Sequence, residues 1–285
     1  MSQQKKAFDD IFSRVWNDGK LVRPRGLLVR EAENFTYTLP PYVRFQNYAC
    51  RKLNLSYLKR EVAWYLKGDR FDTSICQHAK TWQGIVNDDG SINSNYGQYV
   101  FRTNVDVSKF WGKRVFEKKI SSQFDNVVDI LSDDKDSRRA SIVILNSSHL
   151  LSDTKDVPCT YSLNFRIRDD KLNMSVHMRS QDAIFGMGND APAFSIIHEM
   201  VMNALKPKYP TIELGNYFHV ADSFHVYERH FGMLEKIIEG DEFTDVEVPR
   251  ISGHEEVNFL INAMHLLPAD AVPDNFKFTK WLIDV

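Results

Sequence analysis

The sequence predicts a mixed chain of helices and strands, an α/β (α+β) fold. Two observations carry this. Tyr161, Leu163, Phe165 and Ile167 are apolar at every second position, and Leu172, Met174, Val176 and Met178 repeat the pattern, the period of half-buried strands. Polar Arg168–Asp169–Asp170–Lys171 lies between them and has the length of a hairpin loop. Elsewhere apolar residues recur at helical spacing, and an apolar share of 43% with 12% aromatics suits a substantial core.

The elements follow in order. Phe8, Ile11, Phe12 and Val15 predict an amphipathic helix over 7–17. Lys20 to Arg30 is basic, with Arg23, Arg25 and Arg30 around Pro24 and Gly26; it reads as a solvated loop or as a phosphate-binding arm. Residues 53–66 predict a helix capped by Asn54 or Ser56 and ended by Gly68. Its apolar stripe, Tyr57, Leu58, Val62, Tyr65 and Leu66, includes Glu61. A carboxylate there either pairs at the stripe edge with a neighbour such as Arg60, or has a raised pKa suited to acid–base work.

Asn93–Ser94–Asn95–Tyr96–Gly97 is too polar for core and reads as a loop. Ile142–Leu145 predicts a strand, opened by Arg138–Arg139. A helix is expected over 193–205, with Asp190 as its cap and Pro192 in its first turn. Another is expected to open at His225–Val226–Tyr227 and end near Gly240, and a short one lies at about 254–266. No repeat or linker divides the chain, so residues 1–285 are expected to form one domain, with 1–50 and 241–285 as less defined extensions.

Composition narrows the function classes. A formal net charge of -2 argues against general nucleic-acid binding. Three cysteines, Cys50, Cys76 and Cys159, are too few for a disulfide scaffold, so a reducing, cytoplasmic setting is expected. Met1 to Lys6 is polar, which predicts no signal peptide, and no apolar run is long enough to span a membrane. His198–Glu199 opens a zinc-like pattern, but Met202 breaks it, and no metal is expected.

The stretch from Val157 to Asp190 gathers the chemistry. It holds a candidate nucleophile, Cys159, a candidate anion clamp, Arg179, and the carboxylate of Asp190. Strict alternation sets Cys159 on the apolar face of one strand and Arg179 on the polar face of the next, so periodicity alone does not place them in one pocket.

Seven motifs in order resemble the thymidylate synthase superfamily and, within it, the deoxycytidylate hydroxymethylases of phages. They are Arg60–Glu61–Val62–Ala63–Trp64–Tyr65, Gly90–Ser91–Ile92–Asn93–Ser94–Asn95–Tyr96–Gly97, Asp136–Ser137–Arg138–Arg139, Pro158–Cys159–Thr160, Met178–Arg179–Ser180–Gln181–Asp182, Phe185–Gly186–Met187–Gly188–Asn189–Asp190 and His225–Val226–Tyr227. The resemblance covers most of residues 55–235. It implies a large mixed, mostly antiparallel twisted sheet flanked by helices, with dimers forming through the sheet.

The resemblance also implies roles. Cys159 is similar to the nucleophile that adds to C6 of a pyrimidine, Glu61 to the catalytic glutamate and Tyr96 to the tyrosine beside the nucleophile. Arg179, with Ser180 next to it, resembles the phosphate site. Arg138 and Arg139 resemble the pair donated across a homodimer, and Arg23 or Arg25 would complete the clamp. His225 and Tyr227 resemble the residues that hold the sugar hydroxyl. Trp82, Asp182 and Gly186 resemble the pocket for 5,10-methylenetetrahydrofolate.

Two departures bear on substrate. Thr160 and Asp190 stand where thymidylate synthases have His and Asn. A carboxyl can accept from the exocyclic amine of cytosine and, when protonated, donate to N3. Against uracil O4 an ionised carboxylate sets acceptor against acceptor. The expected reaction is 5-hydroxymethylation of dCMP, with water as the last nucleophile. CMP as substrate, a dCMP or dUMP methylase that retains hydride transfer, and a non-catalytic nucleotide binder stay open.

Overall fold

The computed structural model describes residues 2–103, 122–150 and 154–285. Helix α1 (Gln3–Asp18) is capped by Ser2 and buries Phe8, Ile11, Phe12 and Val15, as their spacing predicts. Strand β1 (Lys20–Val22) and the short turn Pro24–Gly26 lead into β2 (Val29–Leu39). Helix α2 (Leu55–Lys67) starts where the Asn54 side chain accepts from Tyr57 N, and ends at Gly68 with φ 62°, a left-handed C-cap. Helix α3 (Lys80–Gln83), helix α4 (Gln123–Asp133), strand β3 (Ser141–Val143) and helix α5 (Ser147–Leu150) follow.

Next come β4 (Thr160–Arg168), β5 (Lys171–Met178), β6 (Gln181–Asp182), helix α6 (Gly186–Leu205) and β7 (Glu213–Tyr227). Helices α7 (Phe231–Ile238), α8 (His254–Asn262) and α9 (Lys277–Ile283) complete the chain. The strands form one sheet in the order β1-β2-β7-β5-β4-β3, with β6 also on β7. The pairs β5/β7 and β6/β7 are parallel and the others antiparallel. Helix α6, buried along most of its length, packs on β5 and β7 and receives α4 and α8, while α9 packs on α2. The tail after residue 240 thus joins the same core.

The hairpin forms as the alternation predicts. Leu163, Phe165, Ile167, Leu172, Met174, Val176 and Met178 are all buried. Asp169 and Asp170 both have positive φ, 51° and 54°, the geometry of a two-residue turn whose twist matches that of the strands. The pattern fails at one place. The β4/β5 register shifts between Thr160 and Ser162, so Thr160 is buried and Tyr161 is turned outward. A bulge reverses the parity of the strand before it, and Cys159 precedes it.

Three other expectations change. His225–Val226–Tyr227 lies in β7, not in a helix, because β7 pairs along the length of β2 from Tyr217 to Tyr227 and that ladder overrides local helical spacing. Helix α6 begins at Gly186, so Asp190 lies inside it instead of capping it. The capping is done by Asp182, whose carboxylate accepts from the backbone N–H groups of Ile184, Phe185 and Gly186 at 3.2, 3.1 and 3.3 Å. Finally, Ser91 to Gly97 is buried, polar as it is. Gly97 lets it approach α2: a Cβ there would lie 1.6 Å from the Tyr65 carbonyl oxygen.

Candidate active site

The bulge, the β5–β6 turn and the start of α6 bring Cys159, Arg179 and Asp190 together. Arg179 grips the turn that carries Cys159. Its Nε donates to Pro158 O at 3.0 Å and its Nη2 to Val157 O at 2.7 Å. The same Nη2 lies 3.5 Å from Cys159 Sγ, and Arg179 N donates to Cys159 O at 2.8 Å. Burial pushes the Cys159 thiol up, and the Arg179 charge opposes that push. A guanidinium beside a thiol favours the thiolate that attacks an electrophile.

Behind this turn stands Asp156, a buried residue the motifs did not single out. Its Oδ2 accepts from Ser94 N at 2.6 Å, and its Oδ1 accepts from Ser94 Oγ. Asn93 Nδ2 donates to its carbonyl oxygen at 2.9 Å. The polar run 91–97 is therefore a clamp: its side chains tie the Tyr96 segment to the Cys159 turn. Tyr96 is buried between Tyr65 and Phe194, with ring centroids at 5.5 and 5.8 Å. Its hydroxyl reaches the Thr160 and Cys159 end of β4, and the negative charges of Cys159 and Asp190 together with burial hold it protonated.

The carboxylates are treated differently. Glu61 is buried on α2, as its place on the stripe predicts. Tyr57, one turn before it, donates to Oε1 at 3.3 Å, and Trp82 Nε1 donates to Tyr57 OH at 2.7 Å. Oε2 has no partner among the described residues. Burial, reinforced by the negative charge of Asp190, raises the Glu61 pKa to about 8. Asp190 keeps part of its surface open but is otherwise enclosed by protein, and burial raises its pKa to about 7. Gln181 Nε2 approaches Asp190 Oδ2 at 3.5 Å. Two carboxyls poised near neutrality in one cluster are a mark of functional sites.

His225 and Tyr227 pack edge to face, with centroids 5.0 Å apart at the end of β7. Arg25, in a left-handed turn with φ 52°, is near enough for its charge to act on both Cys159 and His225. Arg23 and Arg25 are both exposed, and the structure draws Arg25 toward the cluster. Ser180 follows Arg179 in the turn before β6, half-buried.

Arg138 and Arg139 are exposed and do not join the cluster of their own chain. Phe165 N donates to Ala140 O at 2.8 Å, which sets the pair six residues along β4 from Cys159, about 20 Å at the usual rise of a strand.

Sequence reasoning passed over several supports. Arg51 is buried, donates from Nε to Ile184 O at 3.0 Å, and fills the space that a side chain at Gly188 would need, 1.9 Å from such a Cβ. Gln46 donates to Ala183 O and Ile184 O at 3.2 and 2.9 Å. These two side chains fix the loop that aims α6 at the site. Tyr57 and Tyr65 carried a signal, since they flank Glu61 at i−4 and i+4. Trp82 packs on Trp64 at 5.1 Å and so belongs to the Glu61 side. Among the described residues no group of His, Cys, Asp or Glu gathers to hold a metal.

The thymidylate synthase family profile matches residues 6–264. The chain is 29% identical over 275 residues to a deoxyuridylate hydroxymethyltransferase of Bacillus phage SP01, covering 90% of this chain and 66% of that protein. It is 30% identical over 190 residues to a deoxycytidylate 5-hydroxymethyltransferase of Enterobacteria phage T6, covering 64% of this chain and 71% of that protein. A thymidylate synthase of Haloferax volcanii is 23% identical over 180 residues, 60% of this chain and 50% of that protein. With a match that runs through nearly all of its length, and a mixed sheet flanked by helices, the chain belongs to the thymidylate synthase family.

Proposed function

We propose that the chain transfers a one-carbon unit from 5,10-methylenetetrahydrofolate to C5 of dCMP and completes the reaction with water, giving 5-hydroxymethyl-dCMP and tetrahydrofolate. The observation that carries the choice of base is Asp190, an enclosed carboxyl with a pKa of about 7. It is neutral often enough at physiological pH to donate to N3 of cytosine while accepting from the N4 amine.

Arg179 and Arg25 hold the phosphate, with Arg138 and Arg139 supplied by a second copy of the chain, since they stand away from their own cluster. Ser180 adds a hydroxyl beside Arg179, and His225 and Tyr227 hold the sugar. This fixes the ring over Cys159. Cys159 Sγ bonds to C6, and the electron pair of the C5=C6 bond moves to C5, which becomes nucleophilic. The folate would supply the carbon unit at the oxidation level of formaldehyde: C5 bonds to that carbon, the C5 proton leaves, and tetrahydrofolate departs with the electron pair of its C–N bond, so the carbon stays on C5 as a methylene. The residues fit such a flat heterocycle: Trp82 presents a ring whose N–H is already satisfied by Tyr57, Phe185 is 41% exposed beside Gly186, and Asp182 offers a carboxylate at the site.

Glu61, with a free Oε2 and a pKa of about 8, takes up and returns protons. It guides water onto the methylene carbon left on C5, and Cys159 then leaves with its electron pair as C5=C6 reforms. Tyr96 stays protonated beside the nucleophile and orders the proton movements at C5. The phage origin of the relatives supports host cytoplasm as the place of action. Among the described residues no helix is long and apolar enough to cross a membrane.

A second reading, hydroxymethylation of dUMP, draws on the Bacillus phage relative. The test incubates the protein with methylenetetrahydrofolate and dCMP, CMP or dUMP, and takes the mass of each product. A hydroxymethyl product from dCMP is expected. Turnover of dUMP in preference would overturn the reading of Asp190, and a methyl product would mean that hydride transfer ends the reaction.

A further inference from the structure

A neutral carboxyl is ambiguous as a base reader. With the proton on one oxygen it matches the acceptor–donor edge of cytosine. With the proton on the other it matches the donor–acceptor edge of uracil. Selection between the bases needs something that fixes which oxygen carries the proton, and Asp190 alone does not supply it.

The neighbourhood of Asp190 contains such a device. Gln181 on β6 is buried, and its Nε2 points at Asp190 Oδ2 across 3.5 Å. Its Oε1 accepts from Tyr37 OH on β2 at 3.1 Å. The Tyr37 ring lies beside that of Tyr217, with centroids 6.3 Å apart, and Tyr217 OH is paired with His219 Nδ1 at 2.8 Å. His219 lies flat against the Tyr37 ring, with centroids 4.6 Å apart.

Tyr37 donates to Gln181 Oε1, so the amide of Gln181 is held with its oxygen toward Tyr37 and its NH2 toward Asp190. His219 Nε2, farther along, has no partner among the described residues.

We infer that Gln181 is a specificity-positioning residue: held by Tyr37, its amide favours Asp190 Oδ2 as an acceptor, so the proton of the neutral carboxyl resides on Oδ1 and the cytosine edge is preferred. This rests on Asp190 reading dCMP. Oδ2 then accepts from both Gln181 and the N4 amine, and Oδ1–H donates to N3. To pair with uracil O4, Oδ2 would have to carry the proton and aim it at O4, leaving the Gln181 NH2 against a carboxyl hydroxyl oxygen, a poorer acceptor than the carbonyl oxygen it meets in the cytosine arrangement.

The test compares kcat/KM for dCMP and dUMP in the parent protein, Gln181→Met, Tyr37→Phe and Asp190→Asn. Gln181→Met keeps the length of the side chain and removes the donor. It should narrow the dCMP-to-dUMP ratio about tenfold, the size of one ordinary hydrogen bond, mostly through KM and with dCMP kcat little changed. A role in folding alone would lower both substrates equally and leave the ratio unmoved. Tyr37→Phe leaves Gln181 free to rotate and should narrow the ratio by a smaller factor, which tests the inference should Gln181→Met fail to fold. An unchanged ratio in Gln181→Met or Tyr37→Phe, with a shifted ratio in Asp190→Asn, overturns this inference and leaves the base reading intact. A ratio unmoved in all three removes both.

Discussion

Asp156 and Glu61 are both buried carboxylates within one site, and they are furnished in opposite ways. Asp156 accepts from Ser94 N and Ser94 Oγ and faces the Arg179 charge. Burial still tilts its pKa upward, but every oxygen has a partner. Among the described residues Glu61 takes a long hydrogen bond from Tyr57 and its Oε2 has no partner, while Gln181 Nε2 approaches its neighbour Asp190 at 3.5 Å. The half around Cys159 has its hydrogen bonds met by the protein itself. The carboxylate half is left under-satisfied, a local cost that the edge of a base and a water molecule would remove.

The sharpest break of that contrast is at the nucleophile. Cys159→Ser should retain the fold, since Arg179 grips the backbone around it, and should lose turnover by on the order of 10⁴-fold or more, followed by release of the C5 proton. Asp190→Asn should come next. It exchanges a carboxyl for an amide that pairs with uracil, and should move the dCMP-to-dUMP ratio of kcat/KM by about 100-fold toward dUMP.

Stability separates the two halves most plainly. Asp156→Ala strips the Ser94 clamp of its acceptor and should cost about 2–4 kcal/mol in urea unfolding. Glu61→Gln replaces a carboxyl that is mostly protonated at neutral pH and has one oxygen without a partner among the described residues, so it should be neutral or stabilising by about 1 kcal/mol, while kcat falls by roughly 10²–10³.

The last contrast is in pH. Glu61 and Asp190 have folded pKa values of about 8 and 7, above those of an unfolded chain, roughly 4. Between these limits the folded state binds more protons, so the contribution of these groups to folding is full below about pH 4, declines progressively above it, and is gone once pH has risen through the folded values. Thermal melts of the parent should fall over that range. The Glu61→Gln, Asp190→Asn double variant should show a flatter profile.

The same division governs what was legible in the sequence. Alternation located the hairpin, and the stripe of α2 located Glu61 on the buried side, because both are periodic signals. The bulge between Thr160 and Ser162 was not legible: one inserted residue leaves no mark in composition, yet it delivers Cys159 to Arg179. Asn93 and Ser94 read as solvated loop because their acceptor, Asp156, lies over sixty residues away. His225 read as helical because its strand partner, Glu31, is remote in sequence. By sequence pattern alone Asp190 read as a helix cap, until α6 proved to start at Gly186, with the Asp182 carboxylate accepting from the N–H groups at its entrance. Roles that depend on distant partners became visible only with the fold.

The most direct test of the central claim, that a neutral Asp190 completes its contacts on the edge of cytosine, is proton uptake on binding. Calorimetry of dCMP binding at pH 8, in buffers of different ionisation enthalpy, counts the protons taken up. Asp190 is mostly ionised there, so binding through the neutral carboxyl should draw in roughly one proton more than in Asp190→Asn. Equal proton counts in the parent and the variant would contradict the account.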